Sequence, residues 1–283
     1  MHATPDRLKL PRGWLDLSQP VVMGVLNVTP DSFSDGGRLA SPDAAVESAL
    51  AMVRDGAGII DVGGESTRPG ATPVPEDEEI ARVLPVIAAL REASDVVISI
   101  DTMKAGVMRE AVAAGAELIN DVQALRGEGA MQAAVASGAA VCLMHMDRDP
   151  RTMQDNPRYG DVVSEVRDFL AARVQAFVAA GGAPEAACID PGFGFGKTLE
   201  HNLELLARLE AFRALGRPLL AGLSRKSMFG KLLGREVQDR LPASVAAAVL
   251  AAQGGARIVR CHDVRETIDA LRLGQAVARF RTD

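Results

Sequence analysis

Eight short apolar runs, set at intervals along the chain, constrain its fold more than any other feature. They are VVMGVLN (21–27), GIIDVGG (58–64), VVISIDT (96–102), ELINDV (117–122), AVCLMHM (140–146), ACIDPG (187–192), LLAGLS (219–224) and RIVRCHD (257–263). Each ends in polar residues or glycine, and alanine-rich segments with helical spacing separate most of them. Near-continuous apolar strands covered by helices on their outer side are what a parallel sheet requires. Eight such units with no linker-like boundary favour a single (β/α)8 barrel over residues 1–283, rather than a doubly wound sheet. A closing helix is expected over about 264–280, and residues 1–19 form a lead-in placed to cap the barrel floor.

Two connections are long and polar: TPDSFSDGGRLASPD after the first strand and ESTRPGATPVPEDEE after the second. Glycine, proline and serine prevent a continued helix in both. Loops of this length at strand C-termini point to function, because barrel active sites form at that end. The stretch 147–160 is a third irregular connection.

The strand ends carry the chemistry. Asn27, Asp61, Asp101, Asn120 with Asp121, His145, Asp190, Ser224, and Arg260 with His262 all fall there. In a closed barrel these ends converge on one mouth, where several carboxylates would repel unless a ligand, a cation or basic neighbours neutralised them. Asp61 or Asp121 taken alone reads as a structural anchor. Arg260 and His262, two apart on one strand, share a face and make a candidate anion site. SRKS (224–227) puts Lys226 just after the seventh strand, where it can donate to a ligand heteroatom. Asn27 offers an oxygen to a hard cation such as Mg2+.

Other classes are disfavoured. A net charge of −6 lacks the basic footprint of a general nucleic-acid binder. No apolar run approaches a membrane span, and the N-terminal residues lack the apolar centre of a signal peptide, so a cytoplasmic protein is expected. Cys142, Cys188 and Cys261 sit in apolar runs and read as reduced core thiols. No Cys/His cluster has zinc spacing, no Ser/His/Asp order reads as a triad, and His2 and His201 read as surface residues. IDPGFGFGKT (189–198) looks like a phosphate loop but has Pro191 where the first glycine of a P-loop should stand, so Lys197 is not a phosphate lysine.

MGVLNVTPDSFSDGG (23–37), DVGGESTRPGA (61–71), SIDT (99–102), INDV (119–122), LMHM (143–146), IDPGFGFGKT, GLSRKS (222–227) and VRCHDV (259–264) together resemble the successive signature blocks of the dihydropteroate synthase family. The resemblance spans nearly the whole chain in the family's order. It implies a (β/α)8 barrel and a transferase of folate biosynthesis that joins 6-hydroxymethyl-7,8-dihydropterin diphosphate to 4-aminobenzoate. It further implies a pterin site at Asp101, Asn120, Asp190 and Lys226, with Met144 and Phe195 on the ring faces. Asn27, Arg68, Arg260 and His262 match the diphosphate and Mg2+ site, with Asn27 as metal ligand. Thr67, Pro69, Phe195, Ser227 and Phe33 match the aminobenzoate pocket. Asp101, Lys226, Arg260 and His262 take the catalytic roles, and a homodimer is the implied assembly.

Three rivals stand beside this reading. A methyltetrahydrofolate-dependent methyltransferase domain shares the fold and the pterin contacts, but needs no diphosphate site. A non-catalytic paralogue would keep the barrel and bind pterin or a protein partner. A phosphate-binding barrel isomerase would not require these blocks. DRDP (147–150) and Cys261 depart from the family pattern without touching the proposed contacts.

Overall fold

The structure is a computed structural model, and it describes residues 5–29, 41–66, 72–146 and 157–280. A hairpin opens the chain, β1 (Arg7–Leu10) against β2 (Gly13–Asp16). Eight further strands follow: β3 (Val21–Asn27), β4 (Ile59–Gly63), β5 (Val97–Asp101), β6 (Leu118–Asp121), β7 (Ala140–Met144), β8 (Ala187–Asp190), β9 (Leu220–Ala221) and β10 (Ile258–Cys261). The helices that alternate with them are α1 (Pro42–Arg54), α2 (Glu76–Ala93), α3 (Ala105–Ala113), α4 (Ala130–Ser137), α5 (Val162–Ala179), α6 (Leu199–Ala207), α7 (Ser227–Leu233), α8 (Leu241–Gln253) and α9 (Val264–Ala278).

The eight strands pair in parallel in the order β8-β7-β6-β5-β4-β3-β10-β9. A parallel bridge between Ile189 and Leu219 closes the ring. This is the expected (β/α)8 barrel. The seventh apolar run differs from expectation: only Leu220 and Ala221 join the ladder. Pro218 has no N–H to extend the strand backward. Beyond Ala221 the chain leaves the ladder, and Gly222 lies beside Arg260 at the mouth.

Strand periodicity explains how one sequence builds both a core and a site. Val22, Leu26, Ile60, Val62, Ile98, Ile100, Val141 and Leu143 face outward into the layer between strands and helices. The inward row changes character with height. At the bottom it is apolar: Met23, Ile59, Leu118, Ala140, Cys188, Leu220 and Ile258 form one buried cluster. Leu8, Leu10 and Leu17 of the hairpin region complete that cluster, so the lead-in caps the floor as expected. Two to four residues further up the same inward row the chain places Asp61, Asp101, Asn120, Asp190 and Arg260. Cys142, Cys188 and Cys261 are all buried free thiols. The second long connection ends at Pro75, where α2 begins.

Candidate active site

A pocket at the C-terminal mouth is lined by Asp101, Asn120, Met144, Asp190, Phe195, Lys226 and Arg260, with Val122, Phe193 and Gly222. The strand register sets its floor. Gly63 pairs with Asp101 and Asp101 with Asn120, so the polar groups of neighbouring strands stand side by side.

Arg260 organises the carboxylates. Its Nε donates to Asp61 Oδ2 at 2.6 Å and its Nη2 to Asp101 Oδ2 at 2.7 Å. Asn120 Nδ2 donates to the same Asp61 oxygen at 3.0 Å, leaving the Asn120 carbonyl oxygen for a ligand. Asp61 is fully buried one layer below the mouth. The anchor reading of Asp61 holds, but what it anchors is the site itself: Arg260 and Asn120. Sequence reasoning passed over this because a single strand-end carboxylate gives no sign of its cross-barrel partners. Asp121 faces the other way and caps a turn, accepting from the amides of Gln123 at 2.7 Å and Leu125 at 2.8 Å.

The charges perturb one another. Burial raises the Asp101 carboxyl to about 7, against the opposing pull of Arg260. Burial likewise raises Asp190, which accepts from the Gly192 amide at 2.7 Å. Burial and then Arg260 lower the Lys226 ammonium to about 8. Asp101 and Lys226 therefore change charge near neutral pH, as functional-site groups often do. Lys226 Nζ lies 4.4 Å from the centre of the Phe195 ring, a cation–π contact that orients both.

Lys226 is aimed by a strained neighbour. Arg225 is left-handed, with φ 56°. It is held there by its amide bond to Ser244 Oγ at 2.8 Å and by an ion pair with Asp263. A non-glycine residue in this region costs on the order of 1 kcal/mol, and the surrounding bonds must offset it.

His262 follows β10, and burial, ahead of Arg260, lowers its imidazole to about 3, so it is neutral. Ser224 Oγ accepts the His262 amide at 3.2 Å and lies 3.0 Å from Nδ1. With the serine proton directed to Nδ1, Nε2–H is the donor available to an anion. Met144 and Asp190 are register partners, bringing an apolar and an acidic wall together. Ser227 is exposed at the first turn of α7. Phe33, Thr67, Arg68 and Pro69 lie outside the described residues.

Two histidines sit differently from expectation. His145 is buried, its ring edge-on to Phe169 at 4.8 Å. It directly follows the inward-facing Met144, so strand alternation turns it away from the mouth. His201 is half-buried and closes a capping box with Thr198 at the start of α6, because its ring nitrogen accepts the Thr198 amide. Both signals were local in sequence, but neither names the partner.

A side-chain oxygen borders one corner of this mouth. Asn27 is half-buried at the end of β3, and Gly63 beside it has no side chain. A Cβ at Gly63 would lie 3.9 Å from Asn27 Oδ1 and 3.5 Å from Asp101 Cβ, occupying the space between them. Among the described residues no group of three or more His, Cys, Asp or Glu side chains could hold a metal. One neutral oxygen suits Mg2+, which keeps its waters and binds substrate phosphates, rather than a metal caged by protein.

A closed barrel with a mouth of paired carboxylates, two cations and aromatic walls defines a barrel enzyme for a flat, hydrogen-bonding substrate with an anionic arm. The model of the pterin binding enzyme family matches residues 23–262, and the chain belongs to that family. Its relatives there are dihydropteroate synthases. That of Escherichia coli (strain K12) is 52% identical over 262 residues, covering 93% of each chain. That of Haemophilus influenzae is 50% identical over 264 residues, 93% of this chain and 96% of that one. Among solved structures, Xanthomonas albilineans dihydropteroate synthase with 4-aminobenzoic acid superposes at TM-score 0.92, 50% identical, covering 98% of this chain and all (100%) of that one. The Burkholderia cenocepacia enzyme complexed with 7,8-dihydropteroate gives TM-score 0.89 at 50% identity, with 98% and 99% covered.

Proposed function

We propose that the chain is a transferase that condenses 6-hydroxymethyl-7,8-dihydropterin diphosphate with 4-aminobenzoate, giving 7,8-dihydropteroate and diphosphate. The observation that carries the reading is the joint arrangement of Asp101, Asn120, Asp190 and Lys226 around one pocket, with Arg260 behind them. Carboxylates and the Asn120 side-chain carbonyl accept from the amino and N–H groups of a pterin, while Lys226 serves its acceptor atoms. Solved relatives 50% identical over nearly the whole chain, complexed with 4-aminobenzoic acid and with 7,8-dihydropteroate, support the second substrate and the product.

The reaction breaks the bond from the pterin methylene carbon to the diphosphate oxygen, and diphosphate leaves with the electron pair. The electron-rich ring and Asp101 stabilise the developing cation. The aromatic amine then supplies its lone pair, forms the C–N bond and loses a proton. Arg260 and the Nε2–H of His262 donate to the departing diphosphate, and Lys226 orients the ring. The protein thus acts by preorganised charge and orientation, with no covalent enzyme intermediate. Mg2+, held at Asn27 and by the substrate's phosphates, would supply charge neutralisation for the leaving group.

A homodimer is the assembly proposed, on the support of exposed Leu250, Leu273, Val277 and Phe280 on and just beyond the last two helices. Among the described residues no helix is long and apolar enough to cross a membrane. Three buried reduced thiols support a cytoplasmic setting.

The test is product formation by purified protein from the two substrates with Mg2+. A correctly folded protein that forms no 7,8-dihydropteroate refutes the reading, and favours a pterin-binding paralogue. Arg260→Ala with unchanged turnover and unchanged diphosphate affinity would remove Arg260 from its role.

A further inference from the structure

Lys197, set aside as a phosphate lysine, is 2% exposed on the far side of the loop that carries Phe195. Among the described residues, its ammonium lies 2.9 Å from the Gly192 carbonyl oxygen and 2.9 Å from that of Phe195. It also lies 3.0 Å from His145 Nδ1 and 3.4 Å from the His145 carbonyl oxygen. Three N–H groups meeting acceptors from two barrel units tie the end of β7 to the loop after β8. Burial, then the Lys197 charge, pushes the His145 imidazole down to about 2. His145 is therefore neutral, and its Nδ1 is free to accept from the ammonium.

This loop needs such a tie. Gly192, Gly194 and Gly196 are all left-handed, with φ 70°, 83° and 62°. Each glycine loses more freedom on folding than any other residue would. The close approach at Gly192 leaves no alternative, since a Cβ there would sit 2.0 Å from the His145 carbonyl oxygen. Phe195 hangs from the loop by its backbone: its amide donates to Gly192 at 3.1 Å and its carbonyl accepts from Lys197. Its ring, on the other side, faces the pocket and Lys226. Asp190 is anchored in the sheet, where its carbonyl accepts the His145 amide at 2.9 Å, and its carboxylate accepts the Gly192 amide of the same loop at 2.7 Å.

We propose that Lys197 is a positioning residue for the mouth: it sets the Phe195 ring that walls the pocket beside Lys226. This rests on the function proposed above.

The test compares wild type, Lys197→Met, Phe195→Ala and the double variant by steady-state kinetics. Expected for Lys197→Met is a rise of about tenfold or more in KM for the same substrate that Phe195→Ala weakens most, with the other KM changed less. Because Lys197 acts through Phe195, the double variant should be no worse than Phe195→Ala alone. Additive losses, or a loss in Lys197→Met on a substrate that Phe195→Ala leaves unchanged, would overturn the proposal. If Lys197→Met does not fold, Lys197→Gln keeps two N–H donors and should show the same split at smaller size. Amide exchange of residues 192–196 supplies a readout independent of turnover: it should quicken in the variant, and unchanged protection counts against the tie. A wild type that makes no product while the exchange effect appears refutes the activity but not the tie.

Discussion

Arg260→Met is the most informative single change at the mouth. In the native protein one guanidinium neutralises two buried carboxylates, Asp61 and Asp101, at 2.6 and 2.7 Å. Methionine fills much of the same volume, so the loss is electrostatic rather than a cavity. Asp61 would keep only its bond from Asn120, since its Oδ1 has no partner among the described residues. Removing one member of a buried pair costs about 3–5 kcal/mol, because the charge left behind is uncompensated. Protonation limits the damage: with the cation gone, the Asp101 carboxyl, already near 7, rises further. The expected destabilisation is about 3 kcal/mol at pH 8, or roughly 6–12 °C in Tm for a chain of this size.

The pH dependence has a definite sign. A carboxyl whose folded pKa is raised binds more protons folded than unfolded, so its favourable contribution is full below the unfolded value and is lost as pH rises through the folded one. The variant has the higher folded Asp101 value, so its stability falls more steeply with rising pH. Its deficit against wild type should shrink by about 1 kcal/mol on going from pH 8 to pH 5.5. Urea unfolding at both pH values measures this, after the variant's circular dichroism has been matched to wild type. Equal deficits at pH 5.5 and 8, or none at either, would refute the ion-pair reasoning. Asp61→Asn combined with Arg260→Met should recover part of the loss, which a packing defect would not do.

Lys226, held near 8, should give pterin affinity an alkaline limb. Binding weakens above about pH 8 as the ammonium loses its proton, and Lys226→Met should abolish that limb while lowering affinity throughout, as read by calorimetry. The same lowered pKa means that stability contributed by the neutral amine is lost as pH falls through 8, a smaller effect of opposite sign to the Asp101 one. Gly192→Ala places a Cβ 2.0 Å from a backbone oxygen at φ 70°, so loss of several kcal/mol or failure to fold is expected; near-normal Tm would contradict the loop geometry. Asn27→Ala should raise the Mg2+ concentration needed for half-maximal turnover several-fold, leaving pterin binding without metal unchanged.

Much of this protein is legible without coordinates. Apolar runs with parallel-sheet character, eight times over, are a local signal, and periodicity of two says which side chains share the barrel interior. The placement of Asp101, Asn120, Asp190 and Arg260 at one mouth follows from those facts together with closure. What the residues do to each other does not. Asp61 pairs with Arg260 199 positions away, and nothing in either local stretch selects that partner over other carboxylates on the inward row. His145 and Lys197 show the same limit from the other side. Both looked unremarkable in sequence, a strand-end group and a failed phosphate lysine, and only the fold brings β7 and the loop after β8 close enough to share a proton. Secondary structure and facing are set by neighbours in the chain. Charge state, tautomer and the aim of a side chain depend on burial and on groups the chain delivers from far away. Those distant contacts, through a low-dielectric interior, decide which of the strand-end residues bind and which hold the binders in place.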